Sequence, residues 1–198
     1  MLIEILIKLT EGALILASII ALAVIVERTL YLRRDRIINP DLVQIILNVN
    51  NPHDLKKSID SIERQDGAFI NIVRAALEHI EDSYEEMKDT IMDQGRWENR
   101  RLEARLGILE TVASVTPLLG LLGTVLGMIK EFQENIGDIN KIQEFSGGIS
   151  VALITTVAGL SIAIPSLIAY NYFDHKVEDL IMEIEKYSSQ LLKKMKIK

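Results

Sequence analysis

The 198-residue chain has no cysteine, only four prolines and three histidines, and 5% aromatic residues. Without cysteine there is no disulfide framework, no thiolate zinc site and no cysteine nucleophile. His53, His79 and His175 are far apart and form no close-spaced ligand pair, so neither a metal nor a cofactor is expected. The net charge of −6 lacks the basic excess by which a general nucleic-acid binder displaces counterions from phosphates. No internal repeat or low-complexity segment is visible.

Charge is also missing locally. Gly12 to Val26 holds 15 consecutive uncharged residues, Thr111 to Ile129 holds 19 and Phe145 to Phe173 holds 29. The last two are long enough to span a bilayer. The first covers only roughly 22 Å as a helix, so Ile5 to Thr10 must extend it, with Lys8 and Glu11 near one interface. A soluble bundle core is the competing reading. A charge-free helix of 29 residues needs apolar partners on every side, and the polar remainder is too small to supply them. Ala21-Leu22-Ala23 has the small-x-small form of a signal cleavage site, but it lies inside the apolar run and Glu4 replaces the basic leader, so the first stretch reads as an uncleaved anchor.

Arg28, Arg33, Arg34 and Arg36 follow the first stretch, and Arg96, Arg100, Arg101 and Arg105 precede the second. By the bias of basic residues toward the cytoplasm, three spans run N-out and C-in. The expected organisation is all-α: an N-terminal segment and first transmembrane helix over 1–32, a cytoplasmic helical region over 33–110, second and third transmembrane helices over 111–173 with a periplasmic loop at 130–144, and a cytoplasmic C-terminal helix over 174–198. The second and third spans extend into a cytoplasmic helical bundle. Asn39-Pro40-Asp41 and Asn51-Pro52-His53-Asp54 are helix starts, and Asp66-Gly67 is a turn. From Ser83 a long helix is predicted to run straight into the second span, weakened at Gly95 and Gly107. In the tail, Val177, Leu180, Ile181, Ile184, Tyr187, Leu191 and Leu192 form an amphipathic stripe continuing the third span.

The spans are rich in small residues, which let helices approach closely in lipid. Ala113, Pro117, Gly120, Thr124 and Gly127 share one face of the second; Ala152, Thr156, Gly159 and Ala163 share one face of the third. Spacing alone leaves open that each threonine simply bonds to a carbonyl one turn earlier.

The runs SVTPLLGLLGTVLGMIKEF from Ser114 and GISVALITTVAGLSIAIPSLIAYNYF from Gly148 resemble the MotA/TolQ/ExbB proton-channel family, nearest its three-span TolQ/ExbB branch. The resemblance covers 45 residues and rests on glycine, threonine and proline positions in both spans. It implies a homopentamer in the bacterial inner membrane whose second and third spans line a pore. A dimeric single-span partner of the ExbD/TolR type would sit in that pore with an intramembrane aspartate. Ion flow, of protons above all, would drive a motor that transmits energy to the envelope. Thr124 and Thr156 match the family's pore threonines, and the doubled motif adds Thr155. Pro117, Gly120, Gly123, Gly127, Gly159 and Pro165 would serve helix packing.

The chain departs from the pattern at Val151, where many relatives carry glutamate. Neither of the last two apolar stretches then holds a group that titrates near neutrality, so no side-chain proton relay is complete within this subunit, and hydroxyls and carbonyls would serve sodium equally. A non-conducting oligomeric scaffold is the alternative function. An enzyme is not expected, because the spans carry no acid, base or nucleophile beyond hydroxyls.

Overall fold

The computed structural model describes residues 1–48, 55, 57–59, 66–135 and 142–195. Its helices are α1 (Leu2–Tyr31), α2 (Arg34–Ile37), α3 (Pro40–Asn48), α4 (Ala68–Glu78), α5 (Tyr84–Glu103), α6 (Leu106–Asn135) and α7 (Ile142–Met195), and no strand occurs among the described residues. Three helical segments are long and apolar enough to cross a membrane, as the sequence predicts, and the chain is an all-α polytopic membrane protein. The helix start expected at Asn51 to Asp54 and the middle of the 130–144 loop lie outside the described residues. The chain forms two compact units: Met1–Glu27 with Arg105–Tyr172, and Arg28–Ala104 with Phe173–Lys198.

In the first unit, α1 buries or half-buries Ile3, Ile7, Thr10, Leu14, Ala17, Ala21 and Val24, a three-four spacing that turns one seam inward. Ile15, Leu16, Ile19 and Leu22 stay exposed, as do Leu118 and Leu121 of α6 and Ile154, Val157 and Ile168 of α7. Such continuous apolar faces require lipid or protein around them. Ion pairs tie α1 to α6 at both ends, Glu4 to Lys130 at 3.5 Å and Glu27 to Arg105 at 2.7 Å. The 23 residue steps from Glu4 to Glu27 and the 25 from Arg105 to Lys130 rise roughly 35 and 38 Å, more than the ~30 Å hydrocarbon core and less than the ~40–45 Å full bilayer. Both pairs therefore fit the headgroup layers.

The helix expected to run unbroken from Ser83 is two helices. It stops at Ala104 and restarts after Arg105, whose φ of 68° is left-handed, while Gly95 and Gly107, the expected weak points, lie inside helices. A non-glycine residue there costs about 1–2 kcal/mol. The Glu27 ion pair helps offset it.

The second unit is an ordinary helical core around Phe69, Ile70, Ile72, Val73, Leu42 and Ile46, against which α7 turns Phe173, Val177, Leu180, Ile184 and Leu191. Ring contact between Phe69 and Tyr187 at 5.8 Å joins the two sets. The predicted amphipathic tail is thus a core helix. Helix α3 begins at Pro40, with Asn39 Oδ1 accepting from the Asp41 amide. The capping box Ser83–Glu86 starts α5. Before α4, Gly67 has φ 149°, and a Cβ there would stand 2.7 Å from the Arg36 carbonyl oxygen, so only glycine fits the turn.

Two arginines fasten this unit. Arg28 is buried, lies over the Tyr31 ring, and donates to the Leu102 carbonyl at 3.1 Å, satisfying one of the free carbonyls at the C-terminal end of α5. Arg34 forms a fork on Glu183, with Nε donating to Oε2 at 2.8 Å and Nη2 to Oε1. The arginine hydrogen bond holds the Glu183 carboxyl below the usual range, and the carboxylate raises Arg34 in return.

Arg28→Met is expected to leave the buried Leu102 carbonyl without that donor and lower unfolding stability by about 1–3 kcal/mol, read from denaturant titration in detergent. Because Glu183 titrates lower when folded, the stability its fork contributes is complete above the ordinary glutamate range and is lost as the pH falls through the folded value. Glu183→Gln should therefore be less stable than wild type at neutral pH and match it in strong acid, followed by circular-dichroism melts across pH.

Candidate functional site

Glycines decide how α6 meets α7 in the first unit. A Cβ on Gly159 would lie 2.5 Å from the Thr116 carbonyl oxygen and 3.1 Å from the Gly120 Cα; one on Gly120 would lie 2.8 Å from the Thr155 carbonyl oxygen. On Gly123 it would meet Thr155 Oγ1 at 2.8 Å, and on Gly127 the Ala152 Cβ at 2.8 Å. The two backbones are in contact because side chains are missing at these four positions.

That approach brings the α7 threonines onto an α6 carbonyl. The Gly120 oxygen accepts from Thr155 Oγ1 at 3.2 Å and from Thr156 Oγ1 at 3.1 Å. The single Thr155 proton is shared with Ala152 O, which stands closer at 2.8 Å, back along its own helix. Thr124, buried, donates to Leu121 O at 2.7 Å. Thr155 and Thr156 are half-buried. A threonine hydroxyl has one proton to donate and two lone pairs with which to accept. With the protons directed to carbonyls, these side chains offer lone pairs to anything approaching them: a water, a cation or a protonated acid. Local back-bonding accounts for Thr124 and for the shorter bond of Thr155, whereas Thr156 reaches across to the neighbouring helix.

Gly120, Gly123, Gly127, Gly159, Thr155 and Thr156 are thus brought together, with Thr124 one turn further along α6. The inward face of α6 is turned slightly from the one spacing predicts. Val112, Thr116, Gly120 and Gly123 are buried on it, while Ala113 and Pro117 are half-buried. Thr116, which the sequence reading passed over, is fully buried, donates to Val112 O at 2.8 Å, and presents its own carbonyl to Gly159. Its position one turn before Gly120 was the available signal. On α7 the predicted face holds, with Ala152, Gly159 and Ala163 buried, and Ser166 joins it, donating to Ile162 O at 2.7 Å. Pro165 is exposed. Both Pro117 and Pro165 sit inside continuous helices, where each removes the amide that Ala113 O and Ser161 O would otherwise receive.

The apolar stretches from Thr111 to Ile129 and from Phe145 to Phe173 contain no Asp, Glu, His or Lys. Among the described residues no group of acidic and histidine side chains is arranged to hold a metal. In the second unit the buried Glu98 borders a cavity of about 250 Å³, but its carboxylate accepts from Asn71 at 2.8 Å, Gln94 at 3.1 Å and Arg101 at 3.3 Å, a satisfied structural network.

Residues 64–186, more than half of the chain, match the model of the MotA/TolQ/ExbB proton channel family. The chain belongs to this family. It is 33% identical over 174 residues to a biopolymer transport protein ExbB homolog of Methanothermobacter thermautotrophicus, an alignment covering 85% of this chain and 59% of the relative. It is 43% identical over 88 residues to the biopolymer transport protein ExbB of Aquifex aeolicus, covering 43% of this chain and 59% of that one. Against the Tol-Pal system protein TolQ of Pseudomonas aeruginosa the identity is 42% over 86 residues, 42% of this chain and 37% of the relative. The chain therefore spans about three fifths or less of the length of these relatives, and it falls in the TolQ/ExbB branch.

Gly159→Ala is expected to force α6 and α7 apart and cost about 1–3 kcal/mol, measured as a lowered melting temperature in nanodiscs. Gly95→Ala, whose Cβ meets nothing within 4 Å, should instead stabilise α5 by about 1 kcal/mol.

Proposed function

We propose that this chain is the pore-forming subunit of a motor driven by the ion-motive force across the cytoplasmic membrane, with the proton as the coupling ion. Five copies surround the transmembrane helices of a single-span ExbD/TolR-like partner dimer, and the motion is transmitted to the cell envelope. The N-terminus and the 130–144 loop face outward and the C-terminus faces the cytoplasm, in keeping with the arginines that flank the first and second spans.

The observation that carries this reading is the pair of hydroxyls of Thr155 and Thr156 at the Gly120 carbonyl, set in apolar stretches that contain no side chain titrating near neutrality. A proton crossing such a region needs a group that binds and releases it, and the apolar stretches of this subunit hold no carboxylate, histidine or lysine to do so. The acid must come from the partner. Thr124, Thr155 and Thr156 are assigned to the ion path, while Pro117, Gly120, Gly123, Gly127 and Gly159 are assigned to packing within the chain and the exposed Pro165 to packing between copies. Val151, where the family resemblance leads one to expect glutamate in many members, makes the dependence on a partner stronger.

Thr156→Val and Thr124→Val, reconstituted with the partner in proteoliposomes, are expected to reduce proton flux at least about tenfold with assembly intact, since each removes a hydroxyl from the path. Unchanged flux in both would remove the assignment and favour the non-conducting scaffold. Flux through this subunit without any partner would contradict the need for an external acid.

A further inference from the structure

The first unit contains a second feature unrelated to ion passage. Between α1 and α6 lies an open groove of about 630 Å³, walled by Ala13, Ala17 and Ile20 on one side and by Gly107, Val115 and Leu119 on the other, with Arg105 at one end. Its depth comes from small residues: a Cβ placed on Gly107 would meet nothing within 4 Å. The hydroxyls along it are already used, Thr111 donating to Gly107 O at 2.7 Å and Thr116 to Val112 O at 2.8 Å. Apart from its end, the groove therefore offers a polar ligand no free hydroxyl proton, and its largely aliphatic walls suit methylene groups.

Its length and polarity match one leaflet. From Arg105 to Leu119 the helix rises roughly 21 Å, half of the ~30 Å hydrocarbon core plus part of a headgroup layer. The one charged group stands at the outer end. Arg105 holds the only left-handed non-glycine backbone among the described residues, an arrangement that costs energy and that a glycine would relieve. Its guanidinium is more than half exposed although one nitrogen meets Glu27 at 2.7 Å, and a guanidinium carries five N–H donors in a fork suited to phosphate oxygens.

We propose that this groove seats an anionic phospholipid, with one acyl chain lying between α1 and α6 and the phosphate on the edge of Arg105 turned away from Glu27. The strained backbone is then explained by function, because it aims the guanidinium at the groove mouth. The site does not depend on ion conduction.

Native mass spectrometry of the full chain released from nanodiscs of equal phosphatidylglycerol and phosphatidylcholine tests it. Wild type is expected to retain phosphatidylglycerol about fivefold over phosphatidylcholine, the preference that one arginine near the headgroup confers. Arg105→Gly, which keeps the backbone, should retain lipid with no preference. Ala17→Phe, which fills the groove, should lose both. A photoreactive acyl chain on phosphatidylglycerol should label wild-type α1 and α6 along the groove, which guards against misfolding of either variant. Equal retention of the two lipids by wild type, full preference in Arg105→Gly, or a photoreactive group at Ala17 that couples to a second copy of the chain instead of to lipid would overturn the proposal.

Discussion

The contact of Gly120 with Gly159 governs the membrane unit. In water, helices are pressed together by burial of apolar surface, but lipid tails are as apolar as leucine and remove that drive. What remains is dispersion between closely spaced atoms and whatever polar bonds the approach permits. Four glycines permit it here, since a Cβ at Gly120, Gly123, Gly127 or Gly159 would fall within 2.9 Å of an atom on the opposite helix. The same approach brings Thr155 and Thr156 within reach of the Gly120 oxygen. Packing and chemistry are one arrangement, and a methyl group at the crossing disturbs both.

The direction of those hydrogen bonds has a chemical consequence. A hydroxyl that gives its proton to a carbonyl can only accept from a third group. A protonated carboxylic acid near Thr156 can donate to it, whereas the ionised form finds lone pairs instead of donors and no cationic side chain in the surrounding apolar stretches. The threonines thus favour the neutral state of an acid at that level. For the ionised state to be stabilised there, the hydroxyl must first turn away from Gly120 and aim its proton at the acid, which couples a side-chain rotation to the charge of the visiting group. The bond from Thr155 back to Ala152 makes that side chain the harder of the two to turn.

Much of this was legible in the sequence because it depends on local rules. Charge-free runs of 19 and 29 residues announce spans, Asn39-Pro40-Asp41 announces a helix start, the segment from Ser83 announces a long helix, and Asp66-Gly67 announces a turn. The glycine spacing pointed to the helix contact as well. The break before α6 was hidden because glycine marks breaks only where the backbone chooses by propensity. Here an arginine occupies the left-handed position and two nearby glycines stay helical, a preference reversed by a tertiary ion pair to Glu27. Arg28 was similarly obscure: its role depends on a carbonyl 74 residues away, beyond any local pattern. Thr116 was missed because its side chain bonds within its own turn, and its part in the contact is played by its backbone oxygen.

A single copy of the chain leaves the surroundings of Thr155 and Thr156 incomplete on physical grounds. The α7 surface away from α6 exposes Leu153, Ile154, Val157, Ile164 and Ile168, and α6 exposes Leu118, Leu121 and Leu122. Thr155 and Thr156 stand at the margin of the helix pair, half-buried, between the shared glycine face and these apolar ones. An isolated pair in a bilayer would place lipid tails against those margins, and lipid supplies no partner for a hydroxyl lone pair. Water or an acid reaches them only if other protein surfaces exclude lipid from that side. The apolar faces are the part of the molecule available to meet such surfaces, so the same residues that make α6 and α7 membrane helices also make assembly a precondition for any chemistry at Thr155 and Thr156.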